Sequence, residues 1–419
     1  MIQATASTDN ARSLTIAQLV MSIIGLTLLA VTLIGVSILL LVAPAAQEFS
    51  NEQTNQLRGI LWIILAASLL TIPSLITAIR RLTGQPVRPL SRGLFLVASI
   101  ALVLIAPVVL LGNHLSKTVG GHWLFGLLNV FIIFIPLWWF LELGRLRLKR
   151  GSAQRQWGVT AFSFFITLPV VIVVEMIILG IGLLIGAVWL VQQPEFAPML
   201  QQLEQVFSSG ALDPQDLAFD WLPLLQKPGV IVAFILGAAL VVPLIEELLK
   251  PLGVWALIRR ELTPAGGFTA GMICGAAFAL LESLFSLSAV SGGEWLYTVA
   301  GRAGTGLLHL TLTGFNGWAL AASWKDGVFS RVGFTYFITV LVHGAWNLFA
   351  MLMGLNMLGG ELPVNDNPAL SASAPWVLGA LAIGMLAALL IMNLRLRRAT
   401  NVHARTLPPP LPVTLGGME

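Results

Sequence analysis

Charge is scarce in this sequence, and its scarcity excludes the most. Asp, Glu, Lys and Arg make up 10% of 419 residues, where a soluble domain carries about 25%. A water-soluble globule is therefore ruled out. Cysteine is nearly missing as well. The single Cys274 lies within an apolar segment, so neither an intrachain disulfide nor a cysteine metal cluster is available, and the redox compartment stays open. Basic residues exceed acidic ones only 23 to 19, for a net charge of +4 and a pI near 9.6. They sit in short segments between apolar runs rather than along a stripe, which excludes a nucleic-acid binder. Also lacking is the polar-apolar alternation of a membrane β-barrel strand.

What is present is long apolar sequence: 57% of residues are hydrophobic and the mean hydropathy is +0.88. A bilayer core of about 30 Å needs roughly 18 or more apolar residues per helix, and helices satisfy their own backbone hydrogen bonds in lipid. The expected fold class is thus all-α, a polytopic bundle. About ten spans can be placed, at 14–43, 59–79, 93–112, 122–143, 159–191, 229–258, 265–289, 297–322, 332–355 and 374–394. The polar start, Met1 to Ser13, leads into an apolar run from Leu14 to Val42. That run exceeds the roughly 7–15 residues of a signal-peptide core and reads as a first membrane helix.

The connections alternate in charge. One set carries Arg80, Arg81, Arg88 and Arg92, then Arg145, Arg147, Lys149, Arg150 and Arg155, then Arg259 and Arg260, Lys325 and Arg331, and Arg395, Arg397 and Arg398. The other holds Glu48, Glu52 and Arg58, Lys117, Glu294, Glu361 and Asp366, and a longer segment with Glu195, Glu204, Asp213, Asp216, Asp220 and Lys227. The positive-inside rule places both termini in the cytoplasm. Five parts are expected: a membrane region over 1–192, an outer loop over 193–228, a functional core over 229–355, a last span over 356–398 and a tail over 399–419. In the outer loop Met199, Leu203, Val206 and Phe207 recur near helical spacing, as in an interfacial helix. The run Leu407-Pro408-Pro409-Pro410-Leu411-Pro412 suits an extended, disordered tail.

Ionisable residues inside apolar spans cost at least about 2.5 kcal/mol each on insertion scales, which makes them functional candidates. The sixth span contains Glu246, Glu247 and Lys250, so one lysine is the i,i+4 neighbour of the first glutamate and the i,i+3 neighbour of the second. The seventh presents Gly271 and Gly275, then Phe278 and Glu282, each pair at i,i+4. The eighth supplies Arg302 and His309; the ninth supplies His343 and Asn347, again i,i+4. Glu142, beside Arg145, reads as a surface ion pair, and Glu175 as a deeper intramembrane acid. Such a set suits activation of water: a carboxylate takes its proton, a histidine or metal fixes it, and an amide or imidazolium stabilises an oxyanion. Two histidines plus a glutamate also form a catalytic zinc set, though the soluble His-Glu-x-x-His spacing is absent.

The order Glu-Glu-x-x-Lys, Phe-x-x-x-Glu, a lone His and His-x-x-x-Asn on successive spans resembles the PrsW family of intramembrane proteases. It is similar, more distantly, to the CAAX-protease and bacteriocin-processing superfamily, and covers roughly residues 229–355. The resemblance implies that Glu246 or Glu247 is the general base, that Lys250 orients the pair, that Glu282, His309 and His343 hold water or a metal ion, Zn2+ being the ion in question, and that Asn347 supports the oxyanion. Both metal-dependent and glutamate-type catalysis remain open. It further implies a membrane-anchored protein substrate, such as an anti-sigma factor, in a prokaryotic plasma membrane. A proton- or cation-coupled transporter is the second reading, since carboxylates and histidines in a bundle also build proton relays; a non-catalytic membrane scaffold is the third.

Overall fold

The computed structural model describes residues 2–46, 50–87, 93–117, 122–198, 200, 201, 204, 208, 227–258, 262–290, 292–358 and 368–406. Met199, Leu203, Val206 and Phe207 of the outer-loop helix, Glu48, Arg88, Arg92, Asp213, Asp216, Asp220, Arg259, Arg260, Glu361, Asp366 and the Pro408–Pro412 run lie outside the described residues. Among the described residues fourteen α-helices are delimited, joined by short π and 3-10 turns, with no strand. They are α1 (Ile2–Ala46), α2 (Asn51–Leu82), α3 (Leu94–Val103), α4 (Ile105–Leu115), α5 (His122–Gly144), α6 (Ala153–Phe162), α7 (Leu168–Val191), α8 (Pro228–Leu236), α9 (Val242–Leu249), α10 (Leu252–Trp255), α11 (Pro264–Ser288), α12 (Trp295–Asp326), α13 (Ser330–Leu358) and α14 (Pro368–Thr406).

All ten expected spans are helical, but they divide by composition. Eight helical stretches are long and apolar enough to cross a membrane, nine if α3 and α4, bent by 43°, count as one span. The tenth, α12, falls short on apolarity and not on length. Its 32 residues reach about 48 Å at 1.5 Å per residue. Arg302, His309, Thr311, Thr313 and Asn316 lower its hydropathy, and the last four of these are buried inside the bundle. The helices with the driest sequence lie outermost: α7 exposes Ile177, Leu183 and Leu184, as a lipid-facing helix should.

The centre is α11 against α12. Thr263 caps α11, its side chain accepting from the Gly266 N–H, with Pro264 at the first helical position. A Cβ at Gly271 would overlap the Thr313 carbonyl of α12, and one at Gly275 would overlap the His309 carbonyl. The expected Gly-xxx-Gly face is therefore a backbone-to-backbone contact. It brings His309 directly against α11. Gly327, with φ +74°, ends α12 in the left-handed conformation that favours glycine. On the other side of α11, Ile132, Ile133 and Leu137 of α5 and Ile63 and Ala67 of α2 pack with Leu280, Leu281 and Leu284 in one core cluster.

Candidate active site

The sixth span is broken, and a proline explains where. Pro243 has no N–H and its ring clashes with the carbonyl four residues earlier, that of Ala239. Over Gly237–Val241 the chain widens into a π-turn, and the Val242 N–H bonds to the Gly237 carbonyl. The Ala238 carbonyl thereby loses its usual helical donor. α13 uses both openings: the Asn347 amide donates to the Ala238 carbonyl at 2.9 Å, and Gly344 admits the Ala239 carbonyl where a Cβ would overlap it. Tyr336, on the same face of α13, donates to the Leu244 carbonyl at 2.8 Å. Proline ends the segment too, since Pro251 follows Lys250 and separates α9 from the short α10.

This docking sets Glu246, Glu247 and Lys250 against α12 and α13. The Lys250 ammonium is fully buried and sits 2.5 Å from Glu246 Oε2, 3.1 Å from Glu247 Oε1 and 2.6 Å from His309 Nδ1. It also lies 4.7 Å from the Phe278 ring centre, an added cation–π contact. Because an ammonium can only donate, His309 Nδ1 accepts and its Nε2 carries the proton. That Nε2 lies 2.9 Å from Glu282 Oε2, which Arg302 approaches at 2.8 Å. The second histidine lies close by, its ring 5.0 Å from that of His309. His343 Nδ1 is 3.0 Å from Glu247 Oε1, and its Nε2 is 3.8 Å from Glu246 Oε2.

The two glutamates, equivalent in sequence, are unequal in place. Both oxygens of Glu247 are held in aligned hydrogen bonds, Oε1 by Lys250 and His343 and Oε2 by the Asn316 amide at 3.2 Å. Asn316 is itself fixed by Thr339 of α13. Glu246 Oε2 is buried, touches Lys250 at ion-pair distance and has no aligned hydrogen bond. Glu175 of α7 comes within hydrogen-bonding reach of Glu246, so the fifth span adds a further carboxyl to this wall.

The sequence-derived set is thus mostly one cluster: Glu246, Glu247, Lys250, His309 and His343 meet directly, and Glu282 joins through His309. Asn347 is elsewhere, on the π-turn carbonyl rather than on the carboxylates. Asn316, which sequence reading passed over, holds the second glutamate instead. One signal for it existed: Arg302, His309 and Asn316 recur every seventh residue, so they share a face of α12. Glu142 also differs from expectation, since its pair with Arg145 is buried and not at the surface.

Glu246, His309 and His343 each offer a donor atom within 4.8 Å of the others'. Two imidazoles and a carboxylate are a suitable donor set for a zinc-type ion. Glu282 is not in that group. The Lys250 ammonium already holds a cation's place beside Glu246 and His309 Nδ1, so a metal ion there would require the lysine to withdraw.

This buried acid–imidazole–lysine cluster is walled by helices of a multi-pass membrane protein. Residues 169–364, just under half of the chain, match the family model described as PrsW family intramembrane metalloprotease. The match begins on α7 and takes in Glu175. Neither a curated protein nor a solved structure matches the chain. The match supports an intramembrane peptidase as the general class of this protein.

Proposed function

We propose that the protein cleaves a peptide bond of a membrane-anchored protein with water activated by Glu246, while Glu247 positions the machinery. The observation that carries this reading is the asymmetry of the pair: Glu247 has its two oxygens held by Lys250, His343 and Asn316, whereas Glu246 Oε2 pairs with Lys250 at 2.5 Å and lies 3.8 Å from His343 Nε2. A gap of 3.8 Å between Glu246 Oε2 and His343 Nε2 is the separation at which a bridging water is to be sought. Glu247 accepts the Nδ1 proton of His343, which leaves Nε2 as an acceptor. Water held there donates one hydrogen to each.

The steps balance on these residues. Glu246 takes a proton as the water oxygen attacks the peptide carbonyl carbon, and Lys250 places positive charge beside the developing anion. Glu246 then returns the proton to the leaving amine as the C–N bond breaks. His309 holds Lys250 from one side and is held by Glu282 from the other. Asn347 keeps the π-turn shape that aims Glu246. Were a zinc-type ion bound by Glu246, His309 and His343, it would supply Lewis-acid polarisation and lower the pKa of water.

On this reading residues 229–355 are the catalytic core and 1–192 a membrane region beside it, with both termini cytoplasmic in a prokaryotic plasma membrane. An anti-sigma-like membrane-anchored protein is the substrate class that the family suggests. The test is cleavage of a membrane-tethered reporter by full-length protein in proteoliposomes, with the new termini mapped by mass spectrometry. A cut within or at the edge of the reporter's span supports the proposal. Intact reporter with wild-type protein across several tethered sequences, or equal cleavage by Glu246→Gln, counts against it.

A further inference from the structure

On the face of α11 opposite the catalytic residues lies a cavity of about 320 Å³ between α2, α3, α5, α6 and α11. Ile273, Ala277 and Leu280 line it, while Gly271, Gly275, Phe278 and Glu282 turn the other way. Apart from Thr160, its polar lining is Arg145 and Gln156. Gln156 and Ile273 also border a second, smaller hollow, lined by Lys149, Arg150 and Arg155, so the two are neighbours.

The charges at this end do not cancel. Glu142 is fully buried and pairs with both Arg145 and Arg150, the latter at 2.6 Å. Among the described groups, two guanidiniums stand against one carboxylate, which leaves a positive charge in excess at this end. Arg145 is 4% exposed, and its Nε is buried without a hydrogen-bond partner although Nη1 donates to Gln156 at 2.6 Å. A buried donor left unsatisfied is costly, which favours an acceptor at that point. An apolar chamber with cationic groups gathered at one end is complementary to an amphiphile with one anionic end.

We infer that this cavity is a binding site for one anionic phospholipid, an acyl chain lying between α5 and α11 and the phosphate region meeting Arg145 and the Lys149–Arg155 rim. The site is separate from the peptidase centre and does not depend on the catalytic assignment. Its occupancy would fill the back of α11, the helix against which His309 is packed.

Delipidated full-length protein, titrated with phosphatidylglycerol or phosphatidylcholine and read by native mass spectrometry, tests it. Phosphatidylglycerol is expected to bind one per chain and to outlast phosphatidylcholine. Lys149→Gln with Arg155→Gln should weaken phosphatidylglycerol by roughly 5-fold per cation removed and leave phosphatidylcholine unchanged. Ala277→Phe, which fills the chamber, should abolish the bound lipid; should that variant fail to fold, the rim pair decides alone. Equal retention of both lipids by wild type, detergent as the only bound species, or undiminished phosphatidylglycerol binding in the rim variant overturns the inference.

Discussion

Two clusters of buried charge sit in this bundle, and they are built to different rules. In the first, Glu142 is enclosed by Arg145 and Arg150, and every carboxylate oxygen has a cation. In the second, a single ammonium is shared by Glu246, at 2.5 Å, and Glu247, at 3.1 Å, and two imidazoles stand among them. Acids in lipid are expensive either way. The first cluster offsets that expense by giving its one acid two cations and fixes the joint between α5 and α6. The second leaves a carboxylate oxygen and a histidine nitrogen facing each other with a gap between them.

The largest separation between the clusters should appear in activity. Glu246→Gln is expected to lower reporter cleavage by about 10²–10⁴-fold, the range for loss of general acid–base catalysis, with the thermal unfolding midpoint near wild type. Arg145→Ala should do the reverse: removal of one partner from a buried pair costs about 3–5 kcal/mol, so the unfolding midpoint drops while cleavage per folded molecule holds. Differential scanning fluorimetry with activity normalised to folded protein reads both. If Arg145→Ala abolished cleavage at full stability, the division between the clusters would collapse.

Next in size is the contact that presents His309. Gly275→Val places a branched side chain against the His309 carbonyl, and overpacking of this kind costs about 1–3 kcal/mol or more where backbone must move. Both stability and cleavage should fall together, in contrast to either cluster variant. Asn316→Ala removes a hydrogen bond to a charged group, worth about 1.5–3 kcal/mol, and should reduce cleavage with a smaller shift in midpoint. Asn347→Ala is expected to act least, because it uncaps the Ala238 carbonyl without touching a carboxylate. Loss of activity as severe for Asn347→Ala as for Glu246→Gln would move that amide back to the reacting centre.

How much of this was legible in sequence follows from what lipid penalises. Charge in an apolar span stands out, so Glu246, Glu247, Lys250, Glu282, His309 and His343 could be picked by cost alone, and the i,i+3 and i,i+4 spacings put Lys250 within reach of both glutamates. The spans were legible for the same reason, α12 excepted as an apolar rod: its polar residues are what the bundle buries. The inequality of the glutamates was not legible. It depends on Asn316 and His343, which arrive from two other helices. Asn347 misled because its spacing from His343 is correct for a shared face, yet the face spans a full turn and the π-turn made by Pro243 captures the amide first. No local pattern announces that capture without the neighbouring helix.

The most direct test of the account compares Glu246→Gln and Glu247→Gln side by side, measuring single-turnover cleavage and thermal unfolding on the same proteoliposome preparations. The account predicts that Glu246→Gln loses cleavage at near wild-type stability, whereas Glu247→Gln loses cleavage and unfolds at lower temperature because Lys250, His343 and Asn316 lose their common anchor. Cleavage retained by Glu246→Gln, with Glu247→Gln inactive at full stability, would contradict it and make Glu247 the base.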